Sequence, residues 1–209
     1  MIANSITTLR IILIIIMSFF LGLNDNSLIL KDNKPQIILI IFQIFFIIAI
    51  ITDFLDGYFA RKFKQKTHFG KFFDPIADKL LVINSLFFLY KIYDVTGNKM
   101  NEEIYSDIIK IKSIIIMVIM IIIIRDFLVT GIRLLASEKN YIIEASLLGK
   151  IKTAFTFIII GFLLFKSIYF KSYLKKEEII ILLLIIVILT LISGINYLIK
   201  NFYIIKNNF

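Results

Sequence analysis

Residues 47–83 read IIAIITDFLDGYFARKFKQKTHFGKFFDPIADKLLVI, and they place four aspartates between two apolar segments. The first two acids, Asp53 and Asp56, are followed by two small residues, Gly57 and Ala60. These positions are spaced i, i+3, i+4 and i+7, so on a helix they lie on one stripe. The small residues leave space beside the carboxylates. The spacing therefore predicts an open, acidic stripe at the end of a helix.

A second acidic stripe follows in the same stretch. Asp74 and Asp78 are four residues apart and share a stripe on the next predicted helix. Pro75 directly follows Asp74, which predicts that Asp74 lies near the first turn, where the helix dipole favours a carboxylate. Four carboxylates on two facing helices predict a divalent-cation site. Its members are Asp53, Asp56, Asp74 and Asp78.

The surroundings of the acids argue for such a site. Ionisable groups at the ends of helices that enter a bilayer cost roughly 2–3 kcal/mol each unless they face a cavity or a metal. The alternative is that the acids cap helix ends and pair with nearby lysines, which explains one or two of them but not four. The chain has no cysteine and a single histidine, His68, so the metal ligands must be oxygens. Oxygen ligands suit Mg²⁺, Mn²⁺ or Ca²⁺.

The composition predicts an all-α, polytopic integral membrane protein. The chain has 209 residues, 59% of them hydrophobic, and a mean hydropathy of +0.92. Six apolar stretches are long enough to cross a bilayer, and together they predict one membrane domain over residues 1–209. We expect the first stretch to be retained, since no signal-peptide cleavage site follows it. The six predicted transmembrane helices are 5–24, 36–60, 74–93, 111–135, 148–170 and 178–200.

The net charge of +9 is best explained by membrane topology. The basic residues flank apolar segments and are not gathered on a soluble face, so no nucleic-acid partner is predicted. The connection between the second and third helices is the most basic, and we expect it to face the cytoplasm. The last outer loop fits this orientation less well, because lysines outnumber acids there too. The basic residues of the second connection are Arg61, Lys62, Lys64, Lys66 and Lys71.

The segment from Asp53 to Asp78 resembles the complete signature of the CDP-alcohol phosphatidyltransferases. The resemblance implies transfer of a phosphatidyl group from CDP-diacylglycerol to an alcohol, with release of CMP, at two divalent ions held by the four aspartates. It implies that Asp78 is the general base for the acceptor hydroxyl. Arg61 has an alternative role as a residue that extends to the membrane interface. The residues implied in CDP-diacylglycerol binding are Thr7, Gly57, Ala60, Arg61 and Gly70.

A second group of cations begins directly after the apolar run from Ile114 to Ile124. Arg125 and Arg133 are eight residues apart on nearly one helical face, and two arginines so placed need an anion. Lipid headgroups are one candidate, and pairing of Asp126 with a lysine is another local possibility. With Gly149 to Thr153, this run resembles the bacterial phosphatidylglycerophosphate synthases in particular, and the resemblance implies glycerol 3-phosphate as the acceptor. The residues implied in binding its phosphate are Arg125, Arg133, Lys150 and Lys152.

Other functions remain open at this point. Within the family, the alternatives are a cardiolipin synthase or a phosphatidylserine synthase, which use other acceptors. A cation channel or transporter is the alternative from another class, but its acids would spread across the membrane depth. The resemblance further implies a multi-pass enzyme of the cell membrane with a cytoplasmic active site, and a homodimer. Thr7, Arg10 and Thr153 are weaker candidates for lining the nucleotide or acceptor pocket.

Overall fold

The computed structural model describes residues 2–22, 37–62, 68–97, 102–138, 146–169 and 176–202. These residues form six α-helices and no strand, which confirms the all-α prediction. The predicted boundaries agree with the helices to within a few residues, except at the start of the third and fourth. The helices are α1 (Ile2–Leu21), α2 (Ile37–Lys62), α3 (His68–Gly97), α4 (Glu102–Glu138), α5 (Leu147–Tyr169) and α6 (Lys176–Lys200).

Most of these helices are apolar enough to cross a membrane. Within the described residues, four segments have the length and composition of a membrane span: Ile37–Leu55, Tyr105–Ser137, Leu147–Lys166 and Lys176–Lys200. α1 contributes a shorter apolar segment, Ile6–Leu21. α3, which the sequence predicts to cross the membrane, is not among these segments. It carries the aspartates of the second acidic stripe. The chain is therefore a multi-pass membrane protein, and large apolar side chains cover its outer surfaces, as lipid contact requires.

The chain divides into two compact units. One comprises residues 1–112 and 160–174, and the other comprises residues 113–159 and 175–209. The prediction of a single domain over residues 1–209 stays a prediction.

In the first unit, α1 packs against α2 and α3. The rings of Phe42 and Phe88 stack with their centroids 3.6 Å apart, and both side chains are fully buried. Buried polar contacts also join α3 to α1. The amide of Asn84 donates to the carbonyl of Ile14 and to Ser18 Oγ, both at 3.1 Å. These hydrogen bonds fix α3 against α1 in the interior of the unit.

In the second unit, α4 packs against α6. Val129 and Ile132 of α4 form a buried cluster with Tyr197 of α6. The buried residues of α6 recur every three or four positions, so one stripe of this helix faces the unit's interior. That stripe becomes polar and small toward its end. Its members are Ile179, Leu183, Ile186, Val187, Thr190, Ser193, Gly194 and Tyr197.

The prediction that Asp74 lies in the first turn of its helix is wrong. α3 begins at His68, so Asp74 comes after the first turn and Pro75 lies inside the helix. Proline fixes a φ angle that a helix also uses, and its chief cost is the hydrogen bond that it cannot donate. The helix therefore continues through Pro75. Asp74 is stabilised by side chains of α1 and not by the helix dipole.

Candidate active site

A buried arginine lies at the centre of the acidic residues in the first unit. Arg10 of α1 is 0% exposed, and its guanidinium contacts the carboxylates of three aspartates. Nη1 donates to Asp78 Oδ1 at 3.0 Å and also to Asp53 Oδ1, while Nη2 donates to Asp74 Oδ1 at 3.0 Å. Thr7, one turn earlier on α1, donates from Oγ1 to the same Asp74 oxygen at 3.0 Å. Three helices thus meet at one guanidinium.

The positions of these residues follow from helix geometry. Thr7 and Arg10 are three residues apart and share the face of α1 that is directed at the acids. Asp74 and Asp78 are one turn apart on α3, as their spacing predicts, and Asp53 follows the apolar part of α2. The three carboxylates remain 32–40% exposed, although Arg10 is buried. The cluster therefore has a closed, positive inner side and an accessible, negative outer side.

The donor set of this cluster fits a hard divalent cation. Its accessible ligands are carboxylate oxygens, which are the ligands that Mg²⁺ and Mn²⁺ prefer. Three of these carboxylates already converge on the positive charge of Arg10. Among the described side chains, however, no group of three or more acids or histidines is arranged as a metal site. The guanidinium of Arg10 lies where the acids converge. Three carboxylate groups around one arginine offer more oxygen ligands than the guanidinium uses, and these remain for a further cation.

Five of the predicted site residues lie outside the described side chains. Their backbone belongs to α2 or α3, so the first stripe is helical, as its spacing predicts. Nothing further is described of their side chains, and their roles stay predictions. They are Asp56, Gly57, Ala60, Arg61 and Gly70.

The second unit contains a cationic cluster around one acid. Arg125 Nη1 donates to Asp126 Oδ1 at 2.9 Å, and Arg125 Nη2 donates to Ser193 Oγ of α6 at 2.7 Å. Lys152 of α5 is buried, with its Nζ 3.6 Å from the same Asp126 oxygen. Two of the four predicted phosphate-binding cations are thus together, and Asp126 offsets one of their charges. The pairing of Asp126 with a lysine, one of the alternatives open from the sequence, is confirmed.

The other two predicted cations are differently placed. Arg133 is exposed, and its Nε donates to Tyr197 Oη at 3.2 Å, with the guanidinium carbon 5.7 Å from the centre of the tyrosine ring. That distance is within the range of a cation–π interaction. Lys150 is exposed, whereas Lys152, two residues later on α5, is buried. Both exposed cations can therefore meet an anion directly.

The start of α5 brings further positive potential to Arg125. Ser146 caps this helix: its Oγ accepts from the N–H of Gly149 at 3.1 Å, and its carbonyl accepts from the N–H of Lys150 at 3.3 Å. A methyl group at Gly149 would lie 3.8 Å from Arg125 Nη2, so the guanidinium lies close to this turn. Helix starts favour negative charge and are frequent sites of phosphate binding.

Sequence reasoning undervalued Arg10 and missed Ser193 and Tyr197. Arg10 was expected only as a weaker pocket-lining candidate. The signal was present, because a charged residue within an apolar helix requires a partner. Ser193 and Tyr197 interrupt the apolar run of α6 in the same way. The sequence does not show which residues pair with each other, because these contacts join residues 43 to 68 positions apart.

Comparison with known proteins places these residues in a family. Residues 1–199 match the family model described as CDP-alcohol phosphatidyltransferase. A Bacillus subtilis (strain 168) protein named CDP-diacylglycerol--glycerol-3-phosphate 3-phosphatidyltransferase is 34% identical over 207 residues, which cover 98% of this chain and 97% of that protein. A Mycoplasma genitalium protein of the same name is 33% identical over 172 residues, 78% of this chain and 64% of its own. One from Wigglesworthia glossinidia brevipalpis is 36% identical over 128 residues, 60% of this chain and 61% of its own.

The contacts of Arg10 predict its role as counter-ion to the acids. We expect Arg10→Gln to lower the free energy of unfolding by about 3 kcal/mol in EDTA. This is the lower end of the cost of breaking a buried pair, because the acids keep about a third of their surface exposed. Added Mg²⁺ should restore part of the loss. Thermal unfolding of the purified protein in detergent measures both effects.

Lys110→Gln is the matched control, because Lys110 is exposed and forms only a long surface pair with Asp107 at 4.0 Å. Arg10→Lys keeps the charge but not the bidentate geometry, so its free energy of unfolding should lie between those of the wild type and Arg10→Gln. Wild-type stability of Arg10→Gln in EDTA would show that the acids do not depend on this arginine.

Proposed function

Because this chain belongs to the CDP-alcohol phosphatidyltransferase family, we propose that it transfers the phosphatidyl group of CDP-diacylglycerol to glycerol 3-phosphate. The products are phosphatidylglycerophosphate and CMP, and the reaction serves phosphatidylglycerol biosynthesis. The observation that carries the proposal is the convergence of the signature acids Asp53, Asp74 and Asp78 on one point. The name of the Bacillus subtilis relative, which is similar along nearly the whole chain, supports the choice of acceptor.

We propose that Asp53, Asp56, Asp74 and Asp78 hold two divalent ions, Mg²⁺ or Mn²⁺. Such ions, when bound, neutralise the pyrophosphate of the donor and polarise its phosphorus–oxygen bonds. The three described carboxylates suit this role because they are oxygen ligands with accessible outer surfaces. Arg10 holds Asp53, Asp74 and Asp78 from the buried side, and Thr7 holds Asp74. These contacts fix the orientation of the three carboxylates before substrate binds.

The proposed reaction is a displacement at the phosphorus on the diacylglycerol side of CDP-diacylglycerol. The acceptor hydroxyl oxygen forms a bond to this phosphorus, and the bond from phosphorus to the CMP oxygen breaks, with its electron pair leaving on CMP. Asp78 takes the proton of the acceptor hydroxyl. Asp78 contacts Arg10 through Oδ1, and a carboxylate has a second oxygen with which to accept a proton.

For the donor, we propose binding at the first stripe and its neighbours. Glycine and alanine let a ligand approach the helix backbone closely, and arginine offers a planar, two-pronged donor for phosphate. In the described structure the Thr7 hydroxyl is bound to Asp74, so its share in donor binding includes holding that acid in place. The proposed donor-binding residues are Thr7, Gly57, Ala60, Arg61 and Gly70.

For the acceptor, we propose that the cations of the second unit bind the phosphate of glycerol 3-phosphate. Arg125 is 15% exposed at its side chain and contacts Asp126, while Arg133 and Lys150 are exposed. A phosphate dianion is well matched to this excess of positive charge, whereas serine or inositol needs fewer cations. Lys152 contributes through Asp126, whose charge it shares with Arg125.

We further propose that the active site faces the cytoplasm, where soluble glycerol 3-phosphate meets the lipid donor. The basic residues between α2 and α3 support this orientation through the positive-inside rule. A homodimer remains a proposal that rests on membership of the family alone.

Release of CMP by the purified protein tests the function. With CDP-diacylglycerol and Mg²⁺, we expect CMP with glycerol 3-phosphate, and little with serine, inositol or phosphatidylglycerol. EDTA should abolish turnover, and Mg²⁺ or Mn²⁺ should restore it. Preferred use of phosphatidylglycerol or serine would assign the chain to another branch of the family. Undiminished turnover in EDTA would contradict the proposed metal dependence.

Asp78→Asn tests the proposed base. The amide keeps the shape of the side chain but cannot accept the proton, so turnover should fall roughly 10²- to 10⁴-fold while the affinity for CDP-diacylglycerol is kept. Both quantities are measured on the same preparation. Asp107→Asn, in a surface pair of α4, is the matched control and should behave as wild type. Near-normal turnover excludes Asp78 as the base, and complete loss of donor binding makes it chiefly a metal ligand.

Arg133→Ala tests acceptor binding. Loss of one charged phosphate contact costs about 1.5–3 kcal/mol, which is roughly ten- to a hundredfold. We therefore expect the KM for glycerol 3-phosphate to rise by that factor, and the KM for CDP-diacylglycerol to stay nearly constant. Arg133→Lys keeps the charge and should lose less. An equal loss toward both substrates indicates a structural role for Arg133.

A further inference from the structure

The apolar helix α6 carries, on one buried face, three residues whose presence a membrane-spanning role does not explain. Ser193, Gly194 and Tyr197 lie at i, i+1 and i+4, and all three are buried. Below we refer to them as the α6 platform. A serine and a glycine weaken a membrane-spanning helix, and a buried tyrosine hydroxyl requires a partner. Their contacts with α4 explain why they are present.

Ser193 and Gly194 hold Arg125. The Ser193 hydroxyl accepts from Arg125 Nη2 at 2.7 Å, a short contact that fixes one edge of the guanidinium. Gly194 supports the aliphatic part of the same side chain, because a methyl group at this position would lie 3.0 Å from Arg125 Cγ. A side chain at position 194 would therefore require the arginine stem to shift by a few tenths of an ångström. Ser193 thus holds the end of Arg125, and Gly194 leaves the space that its stem occupies.

Tyr197 holds Arg133 in a similar way. Its hydroxyl accepts from Arg133 Nε at 3.2 Å, and its ring lies 5.7 Å from the guanidinium carbon. The ring itself is fixed, because Tyr197 is 3% exposed and packs with Val129 and Ile132. A rigid tyrosine therefore orients an exposed arginine.

We propose that the α6 platform positions Arg125 and Arg133 for the phosphate of the acceptor, and thereby sets the affinity for it. The inference rests on the proposed function, in which the two arginines bind glycerol 3-phosphate. An arginine has many rotamers, and fixing it before the ligand arrives lowers the entropy lost on binding. The platform residues are positioning residues, since they act through the arginines.

The first test compares the kinetic constants of Ser193→Ala and Tyr197→Phe, each of which removes a single oxygen. In the full-length enzyme in mixed micelles, the KM for glycerol 3-phosphate should rise about three- to tenfold in each variant. The KM for CDP-diacylglycerol should change less than twofold. Equal changes toward both substrates, or none toward glycerol 3-phosphate, would overturn the proposal.

A double-mutant cycle separates positioning from packing. If Ser193 acts through Arg125, then Ser193→Ala should cause no further loss of kcat/KM for glycerol 3-phosphate in an Arg125→Ala background. The pair Tyr197→Phe and Arg133→Ala gives the same test at the second arginine. Additive losses in both pairs would mean that the platform acts independently of the arginines, and would overturn the inference.

The matched glycine pair tests the close approach of the platform to Arg125. Gly194→Ala should raise the KM for glycerol 3-phosphate about tenfold, because the new methyl group crowds Cγ of Arg125 and shifts its guanidinium. Gly131→Ala in α4 is the control, since a methyl group there meets no atom within 4 Å. Should Gly194→Ala fail to fold, the two single-oxygen variants decide the question. A normal KM in folded Gly194→Ala would overturn this part of the proposal.

The outcome for the wild-type enzyme separates this inference from the proposed function. If the wild type releases CMP with glycerol 3-phosphate and the platform variants keep its KM, only the inference fails. If the wild type does not use glycerol 3-phosphate at all, the proposed function fails and the inference with it.

Discussion

The contact between one buried guanidinium and three carboxylates organises the first unit of this protein. Arg10 cannot be buried in an apolar helix without negative partners, and the three aspartates cannot lie together without a positive charge between them. The arginine and the three aspartates therefore compensate each other's charge. The contact also joins α1, α2 and α3 at one point, so the orientation of the proposed metal ligands depends on a residue that belongs to the fold and not to the signature.

The second unit uses the same principle in a different form. Asp126 lies beside Arg125 and near Lys152, and hydroxyl groups from α6 accept from two arginines. The cations are thus held by groups of the protein itself. In both units, charged residues that are costly in a membrane environment are grouped so that each stabilises another. The apolar surfaces of the helices then serve mainly to keep these groups in place.

Much of this arrangement could be predicted from the sequence. The periodic acids, the long apolar stretches and the basic connection predicted six helices and the membrane class, because these features depend on local spacing. They also predicted that Asp53, Asp74 and Asp78 lie together, as the structure has them. The start of α3 was predicted wrongly, since Pro75 is compatible with the interior of a helix as well as with its start. The roles of Arg10, Ser193 and Tyr197 could not be predicted, because they depend on contacts between helices. Spacing along one helix carries no information about its neighbour.

The position of Asp126 has a consequence for how anions are attracted. This acid cancels one of the two charges of Arg125 and Lys152, so the long-range field of the pair is that of a single cation. Because these side chains are largely buried, salt screens this field less than it screens the field of exposed charges. The pair therefore attracts cellular anions, including nucleotides and inorganic phosphate, less strongly than two uncompensated cations would. At this pair, discrimination between anions then depends more on shape and hydrogen bonding at short range than on the total charge of the pair.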